Sequence, residues 1–213
     1  MAYAVCMTRK DLIHMLREDG VLNTSTVMSA FEAIDRADFV PAELRAEAYE
    51  NIPLPIGYEQ TISQPWTVAF MLELLQAKPG QNILDVGSGS GWQTALLAQI
   101  VGSKGHVTAL EVVPELCQKS LAALNRYEFI KEGRVEVHCQ DAHDGFMANA
   151  PYDRIIGAAM LDELPSVWVE QLASGGVMVA PLSGSLWRWQ KDEGGRISAE
   201  EFPGFAFVPF IQT

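Results

Sequence analysis

The stretch with the clearest chemical potential is Ile83-Leu-Asp-Val-Gly-Ser-Gly-Ser-Gly91-Trp-Gln-Thr. Apolar residues lead into the glycines and Trp92-Gln-Thr leads out, a pattern of strand, turn and helix. Gly87, Gly89 and Gly91 let the backbone turn tightly and approach a bound molecule. A nicotinamide fingerprint, Gly-x-Gly-x-x-Gly, would put its third glycine at position 92, where Trp stands. Asp85 suits a ligand with an ammonium group better than one with a pyrophosphate. Glu111 ends a second apolar strand about 20 residues on, where an acidic side chain reaches a ribose diol; a solvated surface charge is the equal alternative. Asp141 follows a third strand, placed to meet an adenine amino group or to serve as a turn residue. Asp153 reads as structural.

The partners of acid–base or nucleophilic catalysis are missing. His14, His106, His138 and His143 are scattered with no paired Asp or Cys, and only His143, in the Asp141 loop, falls near a candidate site. No Asp/Asn set suggests a metal, and none is expected. Ser63, in Thr61-Ile-Ser-Gln-Pro65, has two even readings. It is a hydroxyl donor to a substrate, or a helix cap ahead of a first-turn proline.

The elements that must position these residues can be read from the 213-residue chain. Helical patterns cover Arg9 to Asp19 and Thr24 to Asp35, the second capped by Thr24 or Ser25. Asn51-Ile-Pro-Leu-Pro-Ile-Gly57 cannot continue a helix and reads as an extended connector. Helices are then predicted at Trp66 to Gln76, Trp92 to Val101, Glu115 to Tyr127 and Leu164 to Leu172. They alternate with strands at Asn82 to Val86, His106 to Leu110, Arg134 to Cys139, Asp153 to Ala158 and Val177 to Ala180. Two more strands, Leu186 to Gln190 and Phe205 to Ile211, flank a Gly194-Gly195 turn. The alternation predicts an α/β, doubly wound, mostly parallel sheet with an antiparallel C-terminal edge. One domain, 1–213, is expected, with 1–65 as an N-terminal helical cap and 66–213 as the core.

Composition narrows the function. The net charge of −12 lacks the footprint of a nucleic-acid binder and disfavours docking on anionic lipid. No apolar run approaches the roughly 20 residues of a membrane helix, and the N-terminus does not read as a signal peptide. Cys6, Cys117 and Cys139 are odd in number and widely spaced. They read as buried small hydrophobes in a reducing cytoplasm, not as a disulfide framework or a zinc site.

The Asp85 and glycine pattern resembles the first motif of S-adenosylmethionine-dependent methyltransferases. More specific is Leu54-Pro-Ile-Gly-Tyr-Glu-Gln-Thr-Ile-Ser-Gln-Pro65, followed by Val68-Ala69. With Phe39-Val-Pro41, Glu111-Val-Val-Pro-Glu-Leu116, Ala150-Pro-Tyr-Asp153, Glu170-Gln-Leu172 and Phe207-Val-Pro209, it is similar in order and spacing to the protein-L-isoaspartate (D-aspartate) O-methyltransferase family. The resemblance runs from about Met28 to Phe210. It implies a Rossmann-like methyltransferase fold with S-adenosyl-L-methionine as cofactor and S-adenosyl-L-homocysteine as product. The implied acceptors are isoaspartyl residues in damaged peptides or unfolded proteins, without nucleic-acid or membrane partners; a monomer is slightly favoured. Ser63 falls on the family's active-site serine. Cofactor contacts fall on Thr61, Ile62, Gln64, Trp66, Gly87, Ser88, Glu111, Val112, Asp141 and Ala142, with Asp85 and Gly89 from the glycine motif. An isoaspartyl α-carboxylate is already ionised at pH 7, so the missing base is no defect for such an acceptor.

Departures from the family pattern are also legible. Gln140-Asp141-Ala142 replaces Gly-Asp-Gly, and Trp66 replaces Tyr or His. Met160-Leu161, with Asp162 and Glu163, follows Ala158-Ala159 where they are expected to line the acceptor side, and Pro181 to Arg188 is shortened. These changes keep two alternatives open: a dedicated carboxylate acceptor in one peptide or protein, or a non-catalytic relative. A base-methylating enzyme would carry Asn/Asp-Pro-Pro-aromatic where Ala158-Ala-Met-Leu161 stands.

Overall fold

Strand residues of this chain alternate between two cores, and that alternation organises the molecule. The computed structural model describes residues 7–211, so Cys6 lies outside it. In order the elements are α1 (Arg9–Glu18), α2 (Ser25–Ala33), β1 (Leu54–Gly57), β2 (Gln60–Ile62), α3 (Pro65–Leu75), β3 (Asn82–Val86), α4 (Trp92–Val101), β4 (His106–Glu111) and α5 (Pro114–Arg126). There follow β5 (Val135–Cys139), β6 (Tyr152–Gly157), α6 (Ser166–Gln171), β7 (Leu172–Leu182), β8 (Ser185–Lys191) and β9 (Ile197–Pro203). Seven strands form one sheet in the order β5-β4-β3-β6-β7-β8-β9; β1 and β2 form a separate hairpin. The pairs from β5 to β7 are parallel, and β8 and β9 continue antiparallel. The α/β sheet with an antiparallel edge is therefore present as expected.

Ile83, Val107, Val135, Ile156, Val177 and Val179 point to the face covered by α1 to α5. Leu84, Val86, Leu110, Ile155, Met178 and Ala180 point to the face closed by α6 and its neighbouring loops. That is the period-two signature of a sheet covered on both sides. Trp168 of α6 is fully buried on the second face, and its indole N–H donates to the Ala142 carbonyl at 2.8 Å. At the N-terminal end, the Glu73 carboxylate of α3 accepts from the Asn23 and Thr24 N–H groups and from the Thr24 hydroxyl. Thr24 is the residue before α2, as expected of a cap, but its hydroxyl serves this tertiary contact and not its own helix.

Two expectations are corrected. Phe205 to Ile211 is not a strand; the last strand is β9, and segment 205–211 holds only an isolated bridge between Pro209 and Met160. Gly204 at φ +92° turns the chain away, and Phe205 stacks on Phe70 and Trp66. β9 itself is mostly exposed, with Glu200 and Glu201 on the sheet edge, so hydrophobic periodicity could not reveal it. The shortened segment after Pro181 is a two-residue hairpin, Ser183-Gly184 at φ +52° and +85°, a geometry that suits the twist of β7 and β8.

The second correction is a disulfide between Cys117 and Cys139, with Cα atoms 5.6 Å apart. α5 runs back over the sheet, so its first turn meets the C-terminal end of β5; 22 residues of sequence become direct contact. Loss of the disulfide in a Cys117→Ala, Cys139→Ala chain should lower unfolding stability by about 3 kcal/mol, the chain-entropy value for a loop of this length. Denaturant melts with and without reductant would measure it; equal stability of both forms would refute the contribution.

Candidate active site

The chain leaves β3 outward to β4 and β5, then returns across the sheet to β6 on the other side of β3. Ligands of doubly wound folds bind at such a reversal, beyond the carboxyl ends of the strands. A cleft lies there, lined by Gly87 to Ser90 after β3, Glu111-Val112 at the end of β4, Ala142 after β5 and Ala158-Ala159 after β6. Thr61, Ile62 and Ser63 close it from β2, and Val208 to Ile211 from the C-terminal segment.

The glycine turn is built by two carboxylates. Glu111, 5% exposed, accepts from the Gly89 N–H at 2.7 Å and from the Val113 N–H at 2.9 Å. Burial raises its pKa, opposed by these backbone donors. Gly89 (φ +53°) and Gly91 (φ +87°) sit in left-handed conformations that favour glycine, and a Cβ on Gly91 would come within 3.1 Å of Ser120. Gly87 and Ser88 both donate backbone N–H groups to the Leu110 carbonyl.

Asp85 is the second carboxylate. It is fully buried and accepts from Thr94 Oγ1 at 2.6 Å and Gln93 Nε2 at 2.8 Å. It therefore ties β3 to α4 from beneath the turn and is not among the residues lining the cleft, contrary to the ammonium-contact expectation. Asp141 is likewise not among them: its carboxylate accepts from the His143 N–H at 2.8 Å, an Asx turn that sets the loop, while Ala142 contributes the wall. Trp66 stacks on Phe70 outside the cleft. Met160 and Leu161 do not line this cleft; the Met160 backbone pairs with Val208 and Phe210 of the C-terminal segment, and that of Leu161 with Pro181 and Ser183 at the β7–β8 turn.

Ser63, with Thr61, Ala158 and Val208, lines both this cleft and a second cavity completed by Pro53, Gln64, Thr67, Ala206 and Phe207. Gln64, not Ser63, occupies the cap position of α3, and the helix's Trp66 N–H is satisfied by Asn51 Oδ1 at 3.0 Å. The capping explanation of Ser63 is thus removed. Among the described residues no group of His, Cys, Asp and Glu is arranged to hold a metal.

The family model for protein-L-isoaspartate (D-aspartate) O-methyltransferase matches residues 7–213. A protein-L-isoaspartate O-methyltransferase of Aeropyrum pernix is 41% identical over 95% of this chain and 79% of its own length. One from Pyrococcus horikoshii is 41% identical over 95% and 92%. The chain belongs to the protein-L-isoaspartate (D-aspartate) O-methyltransferase family. A Plasmodium falciparum protein crystallised with S-adenosyl-L-homocysteine shares the fold, with a TM-score of 0.87 at 24% identity over 97% of this chain and all of that one. A second solved protein-L-isoaspartate O-methyltransferase gives 0.85 at 25% identity, covering 95% of this chain and 65% of the other.

The cleft also has walls that sequence reasoning did not assign. Gln60, Pro209 and Phe210 line it. Phe207-Val-Pro209 carried a family signal, but a segment more than 100 residues from the glycine turn offers no local clue that it folds over that turn. Burial pushes the Asp85 carboxyl from 3.8 up to about 6, against the hydrogen bonds from Thr94 and Gln93. A folded pKa above the unfolded one means the stabilising proton is held below about pH 4 and lost as pH rises through about 6. Wild-type stability should therefore fall relative to Asp85→Asn across that interval. Parallel stability–pH curves for the two proteins would show that Asp85 does not titrate in this way.

Proposed function

We propose that this chain methylates the free α-carboxylate of L-isoaspartyl and D-aspartyl residues in damaged proteins, with S-adenosyl-L-methionine as methyl donor and Ser63 as the residue that orients the acceptor. The observation that carries the reading is the position of Ser63 on the wall between two adjoining cavities. The cleft suits the donor. Ser88 Oγ is buried there without a hydrogen-bond partner among the described residues, a group that a polar ligand would satisfy. Glu111 retains lone pairs beyond the two backbone bonds and can accept from a ribose diol. Bound in this cleft, S-adenosyl-L-methionine supplies an electrophilic methyl group on a sulfonium.

Thr61, Ile62, Gly87, Ser88, Gly89, Glu111, Val112 and Ala142 would hold the donor directly, since all line the cleft. Asp85 and Asp141 would act through the turn and loop they fix. Gln64 belongs to the second cavity and would face the acceptor. The acceptor carboxylate arrives ionised, so the site has no proton to remove. Its task is to place a carboxylate oxygen in line with the methyl group and keep water out, and a neutral hydroxyl donor such as Ser63 orients that carboxylate without neutralising it.

The 1–65 and 66–213 segments would work as one domain, the first providing the β1–β2 cover of the cleft. No described helix is long and apolar enough to cross a membrane. We place the enzyme in the cytoplasm as a monomer; the Cys117–Cys139 disulfide then has to persist there, as disulfides do in some thermophile proteins.

Methyl transfer to a short isoaspartyl peptide should be base-labile and absent with its normal aspartyl twin. Equal labelling of both, or of neither, would overturn the acceptor assignment. Ser63→Ala should lower kcat by about tenfold to hundredfold, the worth of a hydrogen bond to a charged group, with S-adenosyl-L-homocysteine affinity within about threefold. Glu111→Gln should do the converse and weaken that affinity by about tenfold or more; calorimetry separates the two, and the opposite pattern would exchange their roles.

A further inference from the structure

A buried guanidinium that the mechanism has not used lies behind Ser63. Arg36 is 2% exposed, and no carboxylate among the described residues pairs with it. Its charge is met by backbone carbonyls: Nη1 donates to Ala48 at 2.8 Å and Glu50 at 3.3 Å, and Nη2 to Ile52 at 3.0 Å and Ser63 at 3.1 Å. The guanidinium also lies 5.2 Å from the ring centre of Trp92, which opens α4 and lines the cleft. Burial lowers its pKa only to about 10, so it stays charged at neutral pH.

Such an arrangement is expensive. Removing a cation from water costs free energy that a carboxylate partner would ordinarily offset. What only a planar, multiply donating group can do is gather four carbonyls that converge from two separate chain segments. One segment, 48–52, has no regular structure beyond turns, and the other carries Ser63. The carbonyl of Ser63 is thereby fixed relative to Trp92, which itself lines the donor cleft.

We propose that Arg36 is a positioning residue for methyl transfer: its carbonyl clamp fixes the main chain of Ser63 between the donor cleft and the acceptor cavity. The inference rests on the orienting role given to Ser63. It would act mainly on the acceptor geometry, since all its hydrogen bonds go to residues 48–52 and Ser63 and none to the glycine turn, its one contact toward the donor cleft being the ring of Trp92. It also explains why Ser63 can be precise although it lies between short elements, after the three-residue strand β2.

The test is a double-mutant cycle of Arg36→Lys and Ser63→Ala in the full chain. It follows melting temperature, S-adenosyl-L-homocysteine affinity, and kcat and KM for an isoaspartyl peptide. Arg36→Lys keeps the charge but cannot span four carbonyls. It should lower kcat/KM by about tenfold or more with cofactor affinity within about threefold, and cost little further once Ser63 is Ala. Wild-type kcat/KM, fully additive losses, or cofactor affinity falling in step with activity would each overturn the role of Arg36 and leave that of Ser63 standing. A fully active Ser63→Ala would sink the Ser63 reading and the coupling with it. If Arg36→Lys does not fold, the wild-type protein answers by NMR. The Arg36 Nε–H resonance should shift when the isoaspartyl peptide joins the S-adenosyl-L-homocysteine complex and stay put with the aspartyl twin; a resonance unmoved by the isoaspartyl peptide overturns the proposal.

Discussion

The site depends on a tight return of the chain after β3, and that return is held by buried carboxylates. Asp85 fastens α4 to the strand through Thr94 and Gln93, and Glu111 reaches from the neighbouring strand to the Gly89 N–H. Each carboxylate sacrifices hydration, which is why burial raises both pKa values. The cost is tolerable because the acceptors are matched by hydroxyl, amide and backbone donors aimed at them. In exchange the backbone of the turn lies open to the cleft, with no side chain at Gly87 or Gly89 to block it.

A doubly wound sheet makes this economical. Reversal of the chain between β3 and β6 brings the ends of four parallel strands, β3 to β6, to one edge, and each contributes a short stretch of wall. The elements outside the sheet supply what the sheet cannot. The β1–β2 hairpin brings Thr61 to Ser63, and the C-terminal segment brings Val208 to Ile211. Both are anchored through their main chain: the Lys119 ammonium donates to the Ile56 carbonyl on the hairpin, and the Met160 backbone pairs with Val208 and Phe210. The Met160-Leu161 departure from the family pattern is thus structural.

What was legible in the sequence was local. Strand β3, the glycine turn and α4 are contiguous and carry their own signals, apolar run, glycines and renewed periodicity, so they were found together. Ser63 and Glu111 were found through motif spacing. Long-range geometry was not legible. The sequence placed Asp85 at the ligand because it precedes the glycines, but its partners Gln93 and Thr94, in the first turn of α4, draw it inward. Phe205 to Ile211 alternates like a strand, yet ring stacking on Phe70 and Trp66 and the turn at Gly204 lead it over the cleft instead. An odd number of cysteines argued against pairing, whereas the packing of α5 on β5 decided it. Arg36 gave no signal at all, because a lone arginine beside Asp35 and Asp38 reads as an ordinary surface charge until its four carbonyls are seen.

The absence of a base from this cleft is then consistent with how the scaffold is made. A general base would add a titrating group to a wall where Glu111 is the carboxylate present and is already committed to backbone donors. An ionised acceptor makes such a group unnecessary, and catalysis reduces to alignment and exclusion of water. Alignment demands rigidity from the cover as well as from the sheet. The cover here begins as a proline-containing connector with little regular structure, so its rigidity has to come from tertiary bonds. The carbonyls gathered by Arg36 and the Asn51 side chain on the Trp66 N–H supply them at Ser63 and just after it. The least regular part of the backbone thereby becomes a fixed wall, and the chemistry can be left to the geometry.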